Sequence, residues 1–174
     1  MNLLRLHRSG RLAVLATVLM SVVAPGIVEA PFAGAAAGAP DACTLLAPHD
    51  LLGVLHGTVA DGSTTASPDG TESICEWVVS PNAKHGYGAE LHVYAGRHAK
   101  DFKQQRRIAS APTHTVKHVG DAAFSERVVL AGQVYDDLWV RTGTTIFRIE
   151  TLRDLGTKPL VKLARIAVKN VRSA

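Results

Sequence analysis

The side chains able to do chemistry in this 174-residue chain are histidines, carboxylates and one pair of cysteines. His114 and His118 form an H-x3-H pair. On a helix that spacing puts both imidazoles on one face, and on a strand it does so at a greater separation. Pro112 and the β-branched Thr113, Thr115 and Val116 argue for a strand or loop, and a metal would need a third ligand from Asp121, His92 or Glu90. Surface histidines are the commoner outcome of such a pair, and no cofactor is expected. His92 lies between Leu91 and Val93, which places Glu90 and Tyr94 on its own face of a strand. That face is either a shallow polar binding surface or, more commonly, the solvent side of a sheet covered on its other side.

Ser73, Ser80, Ser110 and Ser125, several histidines and Asp121 make a Ser-His-Asp hydrolase conceivable on inventory, yet no Gly-x-Ser-x-Gly elbow supports it. Asp136 and Asp137 are adjacent, so in a strand they point to opposite faces and are a weak case for paired acid/base carboxylates. Lys103, Arg106 and Arg107, near Lys100 and Arg97, offer a basic cluster to anionic lipid or cell-wall polymer, although such clusters are mostly solvated faces. Trp77 and Trp139 are expected to serve a covered face, as aromatic strand residues usually do.

Cys43 and Cys75 follow an N-terminal stretch that reads as a secretory signal. Arg5, His7, Arg8 and Arg11 form its basic region, and the apolar run Leu12 to Ala24 ends at Pro25-Gly26. That run falls short of the roughly 20 apolar residues of a membrane span. Cleavage is expected near Ala30 or as late as about residue 39, with 31–40 an Ala/Gly/Pro-rich flexible leader and 41–174 a single domain. An exported chain with one cysteine pair usually spends both on a disulfide, which leaves no thiol nucleophile. Pro40-Asp41-Ala42 before Cys43 does not match the small residues that lead into a lipidated cysteine.

The whole chain has 19 basic and 15 acidic side chains; without Arg5, Arg8, Arg11 and Glu29 the balance is 16 to 14. The remaining basic residues are scattered apart from Lys103, Arg106 and Arg107, so the electrostatic footprint of a nucleic-acid binder is absent.

The elements that must position these residues follow from periodicity. Leu51, Leu52, Val54 and Leu55 predict a helix from Pro48 to His56, and Gly62 to Gly70 reads as an exposed loop. Ile74 to Ser80 and Ala89 to Ala95 alternate as strands, and Arg97 to Ser110 is a basic amphipathic helix ended by Pro112. Strand-rich sequence continues to Thr151, with a hairpin about Thr142-Gly143-Thr144. Leu160, Leu163, Ile166, Ala167 and Val171 line a closing helix. The expected class is α+β: a mainly antiparallel sheet, helices on one face, and one disulfide.

Cys43-Thr44-Leu45-Leu46, the Pro-x-Asp-Leu helix ending at His56-Gly57, the C-x-W strand Cys75-Glu76-Trp77 and Gly120-Asp121-Ala122-Ala123-Phe124 resemble the DUF3558 group of small exported proteins and lipoproteins. The resemblance extends from about Asp41 to Val171. It implies a shared scaffold with the cysteines bridged and the Gly-Asp segment as a turn, and it supplies no catalytic residues. The expectation is a secreted or periplasmic non-enzymatic domain that binds a protein or cell-envelope partner. Its candidate surface is Glu90, His92 and Tyr94 with Lys103, Arg106 and Arg107. A small extracytoplasmic hydrolase and a metal-binding protein using His114 and His118 are the alternatives.

Overall fold

A computed structural model describes residues 38–174 apart from His56, Ala83 and Lys84. The expected signal and most of the leader lie outside the described residues. Two helices come first, α1 (Ala42–Leu45) and α2 (Pro48–Leu55), followed by β1 (Thr58–Val59), β2 (Ser63–Ala66), β3 (Glu72–Asn82) and β4 (His85–Tyr94). Then come α3 (Ala99–Ile108), β5 (Thr113–Val116), β6 (Ala122–Leu130), β7 (Gln133–Thr142), β8 (Thr145–Thr151) and α4 (Thr157–Ser173). The eight strands form one antiparallel sheet in the order β1-β3-β4-β8-β7-β6-β5, with β2 also paired to β3. This is the α+β architecture expected, and among the described residues no helix is long and apolar enough to cross a membrane.

Alternation along each central strand divides the sheet into two unlike faces. Cys75, Trp77 and Val79 of β3, Leu91 and Val93 of β4, Phe147 and Ile149 of β8, and Leu138 and Val140 of β7 all point one way and are buried. Against them pack α1 through Ala42 and Leu45, α2 through Leu51 and Leu55, and α4 through Leu160, Leu163, Ala164 and Ala167. The spacing of those α4 residues makes one apolar stripe, while Lys162, Arg165 and Lys169 stay in solvent.

The remaining helix, α3, takes the other face. β4 is an inner strand and β5 an edge, so the chain between them must cross β8, β7 and β6. It crosses as α3, whose Phe102 ring packs tilted against Phe124 of β6 with centroids 5.3 Å apart. α3 carries one buried residue, so it shields part of this face and leaves the rest open.

Cys43 and Cys75 are bridged, with Cα atoms 5.1 Å apart, and the bond ties α1 to β3. A closed loop of this size contributes about 3 to 4 kcal/mol in the chain-entropy model. Gly62 makes the staple possible, because a Cβ there would fall 2.4 Å from Cys75 Sγ and 2.6 Å from Trp77 Nε1. The Gly120-Asp121 segment is a turn: Gly120 has φ +57°, and a Cβ would meet the Arg141 carbonyl at 2.5 Å.

The segment Gly62 to Gly70, expected as a loop, contains a strand. All four residues of β2 are exposed, and they pair with β3 from Ser63↔Glu76 to Ala66↔Ser73. An edge strand held by backbone bonds alone needs no apolar alternation, and so it leaves no periodic trace in the sequence.

Candidate functional site

The open face of the sheet is built from the strand residues that alternate with the core. Glu126 of β6 lies opposite Asp137 of β7, Asp137 opposite Glu150 of β8, Glu150 opposite Glu90 of β4, and Glu90 opposite Glu76 of β3. Five carboxylates thus form one row perpendicular to the strands. At the usual interstrand spacing the row spans roughly 19 Å. With Glu72, which pairs with Tyr94, all five glutamates of the described chain stand on this face.

Like charges directly opposite one another destabilise a sheet. Arg148 offsets only part of the repulsion in four consecutive pairs of this kind, and such departures from local consistency cluster at functional sites.

Burial falls along the row, from Asp137 and Glu126 at one end to exposed Glu76 at the other. A groove of about 360 Å³ opens at the buried end, with Glu126, Asp137, Glu150, Arg148 and Trp139 in its walls and Ile108 and Leu130 at its rim. Its volume is at the small end of the range for ligand sites. A depression of about 260 Å³ opens at the far end, lined by Glu76, Glu90, Asp61 and Val78.

The flanking row of side chains is Phe124, Trp139, Arg148, His92 and Ile74, in cross-strand register from β6 to β3. Arg148 donates to Asp137 at 2.9 Å and also to Glu150, and its guanidinium carbon sits 5.5 Å from the Trp139 ring centre. Trp139 Nε1 donates to Glu126 at 3.3 Å, and the Ala111 N–H donates to the other oxygen of that carboxylate at 3.3 Å. Tyr94 and Trp139 stack with centroids 6.2 Å apart.

Asp137 is the most constrained of these groups. Its side chain is 3% exposed, and Oδ1 has no hydrogen-bond partner. Burial pushes its carboxyl up to about 6, against the opposing pull of Arg148 and with a further push from Glu126. Burial also pushes the Tyr94 phenol up to about 12, and the negative charge of Glu72 adds to the effect. Arg148 Nε and His92 Nδ1 are likewise buried and unpaired.

Of the residues singled out in the sequence, Glu90, His92 and Tyr94 stand together on this face. His92 Nε2 is 2.9 Å from Glu90, and Nδ1 is 3.5 Å from Glu72 without a hydrogen-bond geometry. The basic helix does not complete the surface. Lys103 and Arg107 are exposed, and α3 presents Gln105 and Ile108 to the groove. Arg106 is spent on Thr113 and Thr115, each at 3.1 Å, and lies over the Phe124 ring at 5.9 Å.

His114 is exposed on β5, and exposed His118 follows in a turn with φ +63°. Among the described residues no three His, Cys, Asp or Glu side chains gather as a metal site. Asp121, one proposed third ligand, is engaged by the Gly143 N–H at 2.8 Å and flanked by Arg141 and Arg172. Ser73 accepts from the Ala42 N–H and lies under α1 in the core. Among the described residues no serine shares a hydrogen bond with a histidine. What the open face concentrates instead is carboxylates, which attract cations.

Trp77 and Trp139 are both buried, as expected, but on opposite faces: Trp77 in the core under α1, α2 and α4, and Trp139 on the side shielded by α3. Leu138 and Val140 take the first of these faces, so alternation sends the Trp139 indole to the other, where it packs with Phe102 of α3 and Phe124 of β6. The acidic row escaped sequence reasoning because it depends on register. The available signal was that Glu76, Glu90, Asp137 and Glu150 each sit out of phase with the apolar residues of their strands.

Fold and site together define a disulfide-stapled α+β domain with an acid-lined open sheet face. Comparison of the chain with protein-family models, curated proteins and solved structures gives no match.

Proposed function

We propose that this protein is an exported, non-enzymatic binding domain whose ligand surface is the open face of its sheet. The observation that carries the reading is the row of five carboxylates held in direct cross-strand register from β6 to β3. Export is supported by the signal-like N-terminal sequence and by the disulfide, a bond that persists in oxidising compartments. Kinship with the DUF3558 group is part of the same proposal and rests on the C-x-W strand and the Gly-Asp turn sequence.

The partner is a component of the cell envelope or a protein met there. Capture from envelope extract on the immobilised protein tests the reading when two variants are compared. Glu90→Lys with Glu150→Lys is expected to lose capture, and Lys103→Glu with Arg106→Glu and Arg107→Glu to retain it. Retention by the first variant and loss by the second would assign binding to the basic helix instead.

A further inference from the structure

We infer that the row Glu126-Asp137-Glu150-Glu90-Glu76 is a track for a linear oligoamine, laid across the strands with successive ammonium groups over successive carboxylates. The inference rests on the binding-face reading and names the ligand class. The row is periodic at the interstrand spacing of about 4.8 Å. Amines joined by three-carbon spacers repeat at nearly that step, and a four-carbon spacer overshoots it by one C–C bond that a gauche turn takes up, so one molecule meets successive carboxylates in turn.

The surroundings fit an alkylamine better than a bare ion. On one side of the row stand Trp139 and His92; on the other are Val128, Tyr135 and Val78, the last 58% exposed. Trp139 is 9% exposed and already faced by Arg148, whereas Val78 and Val128 accept methylene spacers and the partly exposed Tyr135 ring attracts ammonium groups. A hydrated divalent ion has no use for either, and among the described residues no compact three-ligand cage is present for one.

The two depressions lie at the two ends of the row, which gives the track ends as well as a path. In the first of them Asp137 is 97% shielded by its 3% side-chain exposure and yet keeps an unpaired oxygen. A buried acceptor without a donor is costly, and a ligand ammonium that reaches Oδ1 supplies the missing donor while Arg148 stays on Oδ2. Arg148 is already shared between Asp137 and Glu150, so it leaves the row with more negative than positive groups.

Calorimetric titration of the full mature chain with spermine, spermidine, putrescine and butylamine at constant ionic strength is the test. Affinity is expected to climb with each ammonium group, by on the order of a hundredfold from the monoamine to spermine. Magnesium at the same ionic strength should not displace spermine. Glu90→Gln with Glu150→Gln should weaken spermine about tenfold, and so should the exposed single change Glu76→Gln in part, where folding is not at risk.

Equal affinity for all four amines, full displacement by magnesium, or unchanged binding in both variants overturns the inference. Failure here is separable from failure of the binding-face reading. If spermine does not bind while Glu90→Lys with Glu150→Lys still abolishes envelope capture, the face is right and the ligand class is wrong. If capture is also unaffected, both fall.

Discussion

Asp136 and Asp137 are neighbours with opposite consequences for stability. On the open face, burial holds the Asp137 carboxyl up to about 6 in the folded protein, against an ordinary value of 3.8. Between about pH 4 and pH 6 the folded state keeps a proton that the unfolded chain has released. The contribution of this residue is therefore fully present below about pH 4 and is lost as pH rises through about 6. Asp137→Asn removes that loss, and it should stabilise the protein by about 1 to 3 kcal/mol at neutral pH, with the gain vanishing towards pH 4. Urea unfolding across that range checks it; a variant less stable than wild type at neutral pH contradicts the assignment. On the core face, Asp136 accepts from Arg127 Nε at 2.9 Å and from the Leu155 and Gly156 N–H groups at 2.8 and 2.7 Å, pinning the entry to α4. Asp136→Ala strands those donors and should cost about 2 to 4 kcal/mol in the same experiment. Alternation placed the two carboxylates on opposite faces from the sequence alone. Their partners were not legible, because they come from β6, β8 and the approach to α4, and only the register brings those near.

Among the elements, those with a strong period were readable and those held by backbone pairing alone were not. α4 and the β7–β8 hairpin show their apolar stripes in the sequence, whereas β2 is four exposed residues with no stripe to show. The position of α3 was hidden for a different reason. Its amphipathic pattern predicts a covered side but not which face of the sheet covers it, and the strand order decides that. The disulfide between α1 and β3 was expected from the cysteine count, but its dependence on Gly62 was not. Gly62→Ala places a methyl 2.4 Å from Cys75 Sγ and should lower stability by about 1 to 3 kcal/mol. The penalty should shrink in a Cys43→Ala, Cys75→Ala background, where both sulfur atoms are gone. Thermal unfolding of the four proteins measures that coupling, and additive effects would show that the staple and Gly62 act independently.

At the scale of the molecule, charge is sorted more sharply than its near-balanced totals reveal. The described glutamates gather on one sheet face, while Lys162, Arg165 and Lys169 line the outside of α4. The sequence shows one basic cluster, Lys103, Arg106 and Arg107, and so added α3 to the exposed sheet face as the surface of interest. The fold instead buries the larger apolar core under α1, α2 and α4 and turns the carboxylates to the partly open side under α3. Fold class was thus legible from alternation and turns, and the candidate surface only as far as its central triplet Glu90, His92 and Tyr94. The claim that this face is where the protein binds is tested most directly by site-specific photo-cross-linking in cells that make the protein. A photoreactive residue at Val78, exposed beside the carboxylate row, is compared with one at Arg107 on the basic helix. The account predicts a discrete adduct from position 78, lost when Glu90 and Glu150 are changed to Lys, and none from position 107; an adduct from position 107 alone would contradict it.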